Sequence, residues 1–170
     1  MKKLFLIAAL MFISFTFAQA KAVNYAGSWR LDKTKSKNLP TFYENIKSQQ
    51  LVVTQDEKQL KIAVTVDLGQ SSPDKMNFAY NFDGNETKTE TTIRTPGGPR
   101  QVPSTLKAVV GQDGKVQLTI ARELQTPNGV LKGTTIEDWE LSADGKTLTI
   151  HRVDDTPRGK MEMDMVFVKN

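Results

Sequence analysis

The chain contains no cysteine and a single histidine, His151. Disulfides and thiolate metal sites are therefore excluded, and zinc sites of the usual kinds cannot be assembled from one histidine. A Ser-His-Asp triad would have to use His151, and no Gly-x-Ser-x-Gly elbow accompanies it. A large excess of charge of either sign is also lacking. There are 23 Lys and Arg against 19 Asp and Glu, and setting aside Lys2 and Lys3 leaves 21 against 19, a net charge of +2. That is too weak a field to point to nucleic acid or a membrane surface. Acidic side chains are plentiful, but no pair stands out for acid–base work. A non-enzymatic protein without a cofactor is the expectation.

Long apolar runs are missing except at the start. Lys2 and Lys3 precede an uncharged stretch from Leu4 to Phe17, and Ala18-Gln19-Ala20 supplies a small-x-small cleavage pattern. The run falls short of the roughly 20 residues a spanning helix needs. Residues 1–20 read as a signal peptide, with 21–170 as a single domain. No cysteine follows the signal to take a lipid, so no stable membrane anchor is expected after cleavage. The expected location is periplasmic or secreted, in a bacterial-type export context.

What is present is a rhythm of turns. Asp83-Gly84, Asp113-Gly114 and Asp144-Gly145 alternate with Thr95-Pro96-Gly97-Gly98, Thr126-Pro127-Asn128-Gly129 and Thr156-Pro157-Arg158-Gly159. Asp-Gly tolerates the positive φ of tight hairpins, and proline followed by glycine also reverses the chain. Each unit of about 30 residues is thus strand, tight turn, strand, longer loop.

Between the turns apolar residues alternate with polar ones. Leu60, Ile62, Val64 and Val66 share a face; so do Met76, Phe78, Tyr80 and Phe82; so do Met161, Met163, Met165 and Phe167. Period two marks strands with one buried face. Ten strands are predicted, at 26–31, 50–55, 59–67, 75–83, 86–94, 104–110, 115–123, 132–142, 146–153 and 160–169. The segment 86–94 has little to bury and would mark a gap or an edge. The only helical candidate is Thr41 to Gln49, after Pro40. The fold class is all-β, an up-and-down antiparallel meander. Closure into a barrel would remove its exposed edges; a strongly curved open sheet is the second possibility.

Gly27-Ser28-Trp29, followed by Leu31, places a Gly-x-Trp on the first strand of this meander. It resembles the lipocalin-like, or calycin, β-barrel superfamily, and Gly27 and Trp29 are the structural motif. The long connection after the first strand is similar to the fatty-acid-binding-protein branch. The stretch from Trp139 to Leu148 resembles small secreted lipocalin-like proteins of bacteria. The resemblance implies a barrel that holds small, mostly apolar ligands. In lipocalins an arginine of the last strand packs over the motif tryptophan. Segment 160–169 has none, so Arg152 or Arg122 would have to take that place.

Alternate turns of a meander lie at the same end. The Asp-Gly turns should close the base, and the segments 32–49, 67–74, 95–103, 124–131 and 154–159 should form a long-looped mouth, the favoured end for a ligand. All six arginines fall in the mouth half: Arg30, Arg94, Arg100, Arg122, Arg152 and Arg158. Arg122 continues the inward face of Val116, Leu118 and Ile120, and Arg152 that of Leu148 and Ile150. An inward guanidinium suits a carboxylate or phosphate. Equally, either arginine stacks on Trp29 or pairs with Glu123, Asp154 or Asp155 inside the protein. His151 alternates outward. The stripe containing Met163 is adaptable pocket lining or ordinary core. Phe42 and Tyr43 form a lid or the docking face of their helix.

The expected partner is a small amphipathic or apolar molecule, acidic if the arginines anchor it. Arg122, Arg152, Tyr43, Tyr80 and Met163 are the candidate contacts. The competing expectation is a structural or protein-interaction module of the cell envelope with a side-chain-filled core.

Overall fold

The computed structural model describes residues 20–69, 72–95, 98–127 and 129–170. The proposed signal segment thus lies outside the described residues apart from Ala20. The described residues form ten antiparallel strands: β1 (Gly27–Leu31), β2 (Ser48–Gln55), β3 (Gln59–Asp67), β4 (Asp74–Asn81), β5 (Thr87–Thr95), β6 (Gly98–Val110), β7 (Val116–Thr126), β8 (Gly129–Leu141), β9 (Thr147–Thr156) and β10 (Gly159–Lys169). They join in the order β4-β3-β2-β1-β10-β9-β8-β7-β6-β5. The pairing of β1 with β10 brings the first and last strands together and rolls the meander into a nearly closed barrel.

The barrel has one seam. β4 and β5 are the two edges of the sheet and do not pair with each other. Near the base a side-chain contact crosses it, Asn81 Nδ2 donating to Thr87 Oγ1 at 3.1 Å. The polar segment around residue 90 is therefore an edge. Its exposed Lys88 and Glu90 discourage a further strand from pairing there.

The Asp-Gly turns close one end as expected. In each, the aspartate carboxylate accepts a backbone N–H two residues on: Asp83 from Asn85 at 2.9 Å, Asp113 from Lys115 at 3.1 Å, Asp144 from Lys146 at 3.0 Å. The glycines take positive φ, 79° at Gly114. Residues 22–26 then plug this base. Val23 N–H donates to Gly114 O at 2.8 Å, and the Gln55 side chain bridges the backbones of Val23 and Tyr25. Tyr25 is fully buried, lies edge-on to Trp139 with ring centres 5.5 Å apart, and donates its hydroxyl to Trp139 O at 3.0 Å.

The Gly-x-Trp motif belongs to the same plug. Trp29 is fully buried and donates Nε1–H to Tyr25 O at 3.0 Å. The cation over its ring is Lys169 Nζ, 5.1 Å from the centroid, and not Arg122 or Arg152. Lys169 is Trp29's direct partner in the β1–β10 ladder, whereas both arginines lie toward the other end. Gly27 has φ +151°, and a Cβ there would sit 2.8 Å from Lys169 Cε. The glycine makes room for the lysine that covers the tryptophan.

At the opposite end two expectations are corrected. The Thr-Pro-x-Gly segments are tight reversals, not long loops: Thr126 pairs with Gly129, Thr156 with Gly159, and Thr95 with Gly98. In the first two of these hairpins the threonine hydroxyl, of Thr126 and of Thr156, donates to its glycine carbonyl, at 2.7 and 3.2 Å. The residues flanking these reversals therefore extend β6 to β9. The helix expected over Thr41–Gln49 is only a 3-10 turn, Thr41–Glu44, because Ser48 and Gln49 already pair with Asp67 and Val66 of β3.

The outer parts of these strands separate into hairpin fingers. β6 and β7 pair only as far as Ser104 and Arg122, and β8 and β9 only as far as Thr134 and Asp155. Pro99 and Pro103 fall in the part of β6 that pairs with β5 alone, where a strand can lack N–H donors.

Candidate functional site

A cavity of about 850 Å³ occupies the barrel and reaches the Thr-Pro-x-Gly hairpins. The interior is hollow, unlike the filled core that was the competing expectation. Its floor is Trp139 and Phe167; Pro157 and Arg158 stand at its rim. Phe42 and Tyr43 of the 3-10 turn both line it, Tyr43 buried and Phe42 exposed. Lys33 Nζ holds that turn by donating to Tyr43 O at 3.3 Å and Ile46 O at 3.0 Å.

The wall has two unlike arcs. On β2, β3 and β10 the inward residues are almost all apolar: Leu51, Ile62, Val64, Met165 and Phe167 among them. On β5 to β9 a polar network faces inward. Period-two alternation carries Arg122 and Arg152 to this face, as expected, and both line the cavity. Arg30, Arg100 and Arg158 are exposed, and the Arg94 side chain lies outside the described ones.

The two inward arginines differ in their partners. Arg152 forks onto Asp154, Nε to Oδ2 at 2.9 Å and Nη2 to Oδ1 at 3.0 Å, and approaches Glu137 at 3.5 Å. Burial opposes its charge, but Glu137 and Asp154 outweigh that and hold its pKa above the usual value. Among the described residues Arg122 has no carboxylate partner. Its Nε donates to Thr91 Oγ1 at 3.2 Å and its Nη1 to Thr135 Oγ1 at 3.0 Å. Burial first, then the like charge of Arg152, push its pKa down; a guanidinium nevertheless stays protonated.

The hydroxyls relay these contacts. Thr135 passes its own hydrogen bond to Asp154 Oδ1 at 2.6 Å. Thr91 and Ser104 meet at 2.7 Å, and Ser104 donates on to Val102 O at 3.1 Å. Glu137 also accepts from Trp139 Nε1 at 3.1 Å. Two of Arg122's five N–H groups are used by these threonines, which leaves three without a partner among the described residues on a side chain that lines the cavity.

Tyr80 of β4 lines the cavity, and Glu137, Arg122 and Arg152 are the charges that act on its hydroxyl. Burial raises its pKa. Met163 is buried on the inward face of β10, paired with Arg152 across the ladder, but on this strand the cavity is lined by Met161, Met165 and Phe167. Gly27 and Trp29 belong to the base plug and not to the pocket. His151 points outward, its Nδ1 2.8 Å from Asp164. Glu123, named as a possible partner of the arginines, pairs with Lys132 instead.

Sequence reading missed Gln49, Thr91, Thr135 and Glu137. For the last two a signal existed: Trp139 is inward, so period two puts Glu137 and Thr135 on the same face. Among the described residues no group of His, Asp and Glu could hold a metal ion, and no helix is long and apolar enough to cross a membrane.

No protein-family profile matches the chain, and no curated protein matches it in sequence. Among solved structures it is similar to the zebrafish ileal bile acid-binding protein, crystallised with cholic acid. Identity is 12%, the TM-score is 0.48, and the match covers 86% of this chain and 98% of that one.

Proposed function

We propose that this protein is an exported, non-enzymatic carrier of a small amphipathic anion, held in the barrel with its acidic head against Arg122. One observation carries the reading: Arg122 is an inward guanidinium at a cavity of about 850 Å³ whose protein partners are two threonine hydroxyls. A guanidinium partnered by neutral oxygens retains its charge for a ligand, and its fork matches a carboxylate or phosphate. Arg152 serves differently. Asp154 and Glu137 neutralise it, and it orders the network that aims Arg122. The apolar arc on β2, β3 and β10 accepts the ligand's body, and the size of the space suits a lipid-like skeleton. Export follows from the pattern of residues 1–20, and with it a periplasmic or secreted location.

Titration of purified protein with octadecanoic acid and with its methyl ester tests the reading. The acid should bind at least tenfold tighter than the ester, and Arg122→Gln should erase that difference while leaving ester binding intact. Equal affinity for acid and ester in the unaltered protein, or no binding of either, would sink it. N-terminal sequencing of secreted material should begin at Lys21.

A further inference from the structure

We propose that Gln49 is a second, neutral anchor in the cavity, and that the ligand is an oxygenated amphipathic acid, bearing a hydroxyl or carbonyl on its skeleton apart from the anionic head. The inference deepens the anion-carrier reading and rests on it.

Gln49 is only 7% exposed and lines the cavity. It stands at the outer end of β2 on the inward face, above Leu51 and Val53, and its ladder partner on β3 is Val66. Every other inward position on these two strands is apolar: Leu51, Val53, Leu60, Ile62, Val64 and Val66. Among the described residues its side-chain amide makes no hydrogen bond within the protein. Among the described residues no buried side-chain nitrogen or oxygen lacks a partner, so the amide of Gln49 is open to the cavity that the residue lines, where a ligand can reach it. Thr91, Ser104 and Thr135, the other buried polar residues, all have partners. Leucine or methionine would continue the apolar wall of Leu51 and Val53, so packing does not account for the glutamine.

Its chemistry limits what it reads. A carboxamide offers two donors and an acceptor and suits a hydroxyl or a carbonyl equally. The inward faces of β2 and β3 supply no cation, so a second carboxylate there would be buried without a counter-charge. The group is therefore neutral. In sheet order β2 is separated from β9 by β1 and β10, and from β7 by those strands together with β8 and β9. Gln49 thus faces the ligand from the apolar arc, away from the arc that carries Arg122. One oxygen is held as an anion on one wall and another as a neutral group on the other. Such a pair fixes the orientation of a skeleton that an apolar wall alone would let slide.

The test is a binding series on the whole chain with octadecanoic acid, its methyl ester, and octadecanoic acids carrying a single hydroxyl at successive positions. In the unaltered protein one narrow range of hydroxyl positions should bind about tenfold tighter than the plain acid. Gln49→Leu should abolish that preference and keep the preference for acid over ester. Arg122→Gln should do the reverse. If Gln49→Leu fails to fold, Gln49→Met and the position dependence in the unaltered protein decide the matter. Acid-selective binding with no favoured hydroxyl position, or a preference that survives loss of Gln49, overturns the second anchor and leaves the anion reading standing. Failure of all the acids to bind overturns both.

Discussion

Arg152 grips Asp154 through two parallel contacts, at 2.9 and 3.0 Å, two residues apart on the same face of β9. This pairing makes Arg152 a fixture and leaves its neighbour Arg122 as the charge that a ligand meets. With Glu137 the four ionised groups cancel. The cluster is neutral overall, and its positive end is at Arg122.

Removing one negative member should unbalance it. Asp154→Asn keeps the side chain's shape but leaves the cluster with one excess positive charge. An acidic ligand should bind roughly five- to tenfold tighter, the effect of about 1 kcal/mol of added attraction in a partly solvated site. Asp154→Ala also strands Arg152 and should cost about 2 kcal/mol of stability. Calorimetric titration and urea unfolding measure the two. Weaker anion binding by Asp154→Asn in a folded protein would contradict the assignment.

The base plug should dominate stability. Trp29→Ala removes a fully buried indole together with its bond to Tyr25 O and should cost about 3–5 kcal/mol. Lys169→Ala removes only the cation over the ring and should cost less than about 1 kcal/mol. Gly27→Ala should cost more than Lys169→Ala, since it adds a Cβ against Lys169 and strains a positive φ. Combining Gly27→Ala with Lys169→Ala should recover part of that loss. Chemical unfolding curves rank the four variants.

The tyrosines give an alkaline signature. Burial pushes Tyr25 up to about 12, and raises Tyr43 and Tyr80 as well. The chain has three tyrosines in all. Absorbance at the phenolate band should therefore stay flat through the usual titration range near pH 10. Because the folded values exceed the unfolded ones, the neutral phenols contribute stability below about pH 10 that is lost as pH rises through the folded values. Unfolding at high pH should coincide with phenolate formation. A tyrosine titrating near pH 10 in folded protein would contradict the burial.

The turn aspartates act at the acid end. Backbone N–H groups of Lys58 and Gln59 hold Asp56 below the usual carboxylate value. The Ser142 hydroxyl and the Lys146 N–H do the same for Asp144. Depressed folded values mean that their stabilisation is present above the unfolded value of about 4 and is lost as pH falls through the folded values. Asp56→Asn preserves the turn geometry without titrating. Its unfolding midpoint should fall less steeply than that of the unaltered protein between about pH 4 and pH 2.

Several features were legible because they depend on neighbours in sequence. Strand alternation marked the inward faces, so Arg122, Arg152 and Tyr80 were placed correctly on the cavity side. Asp-Gly marked the tight turns of the base, since the aspartate accepts from the N–H two residues ahead and the glycine takes the positive φ. The length of the Thr-Pro-x-Gly segments is not legible: composition marks a reversal, but only pairing shows that Thr156 and Gly159 already face each other. The short helix was overextended because Ser48 and Gln49 carry no local strand signal and are drawn into β2 by β3.

By itself the sequence determined ten strands, their inward faces and the two unlike ends, because period and turn chemistry are local properties of the backbone. The tertiary structure alone decided which side chains meet. The ladder between β8 and β9 set Glu137 opposite Arg152, and the ladder between β1 and β10 set Lys169 over Trp29. Closure of the meander placed Gln49 and Arg122 on separate walls of one cavity. Such meetings are fixed by register and closure, which sum contacts from distant segments, and no stretch of sequence carries them alone.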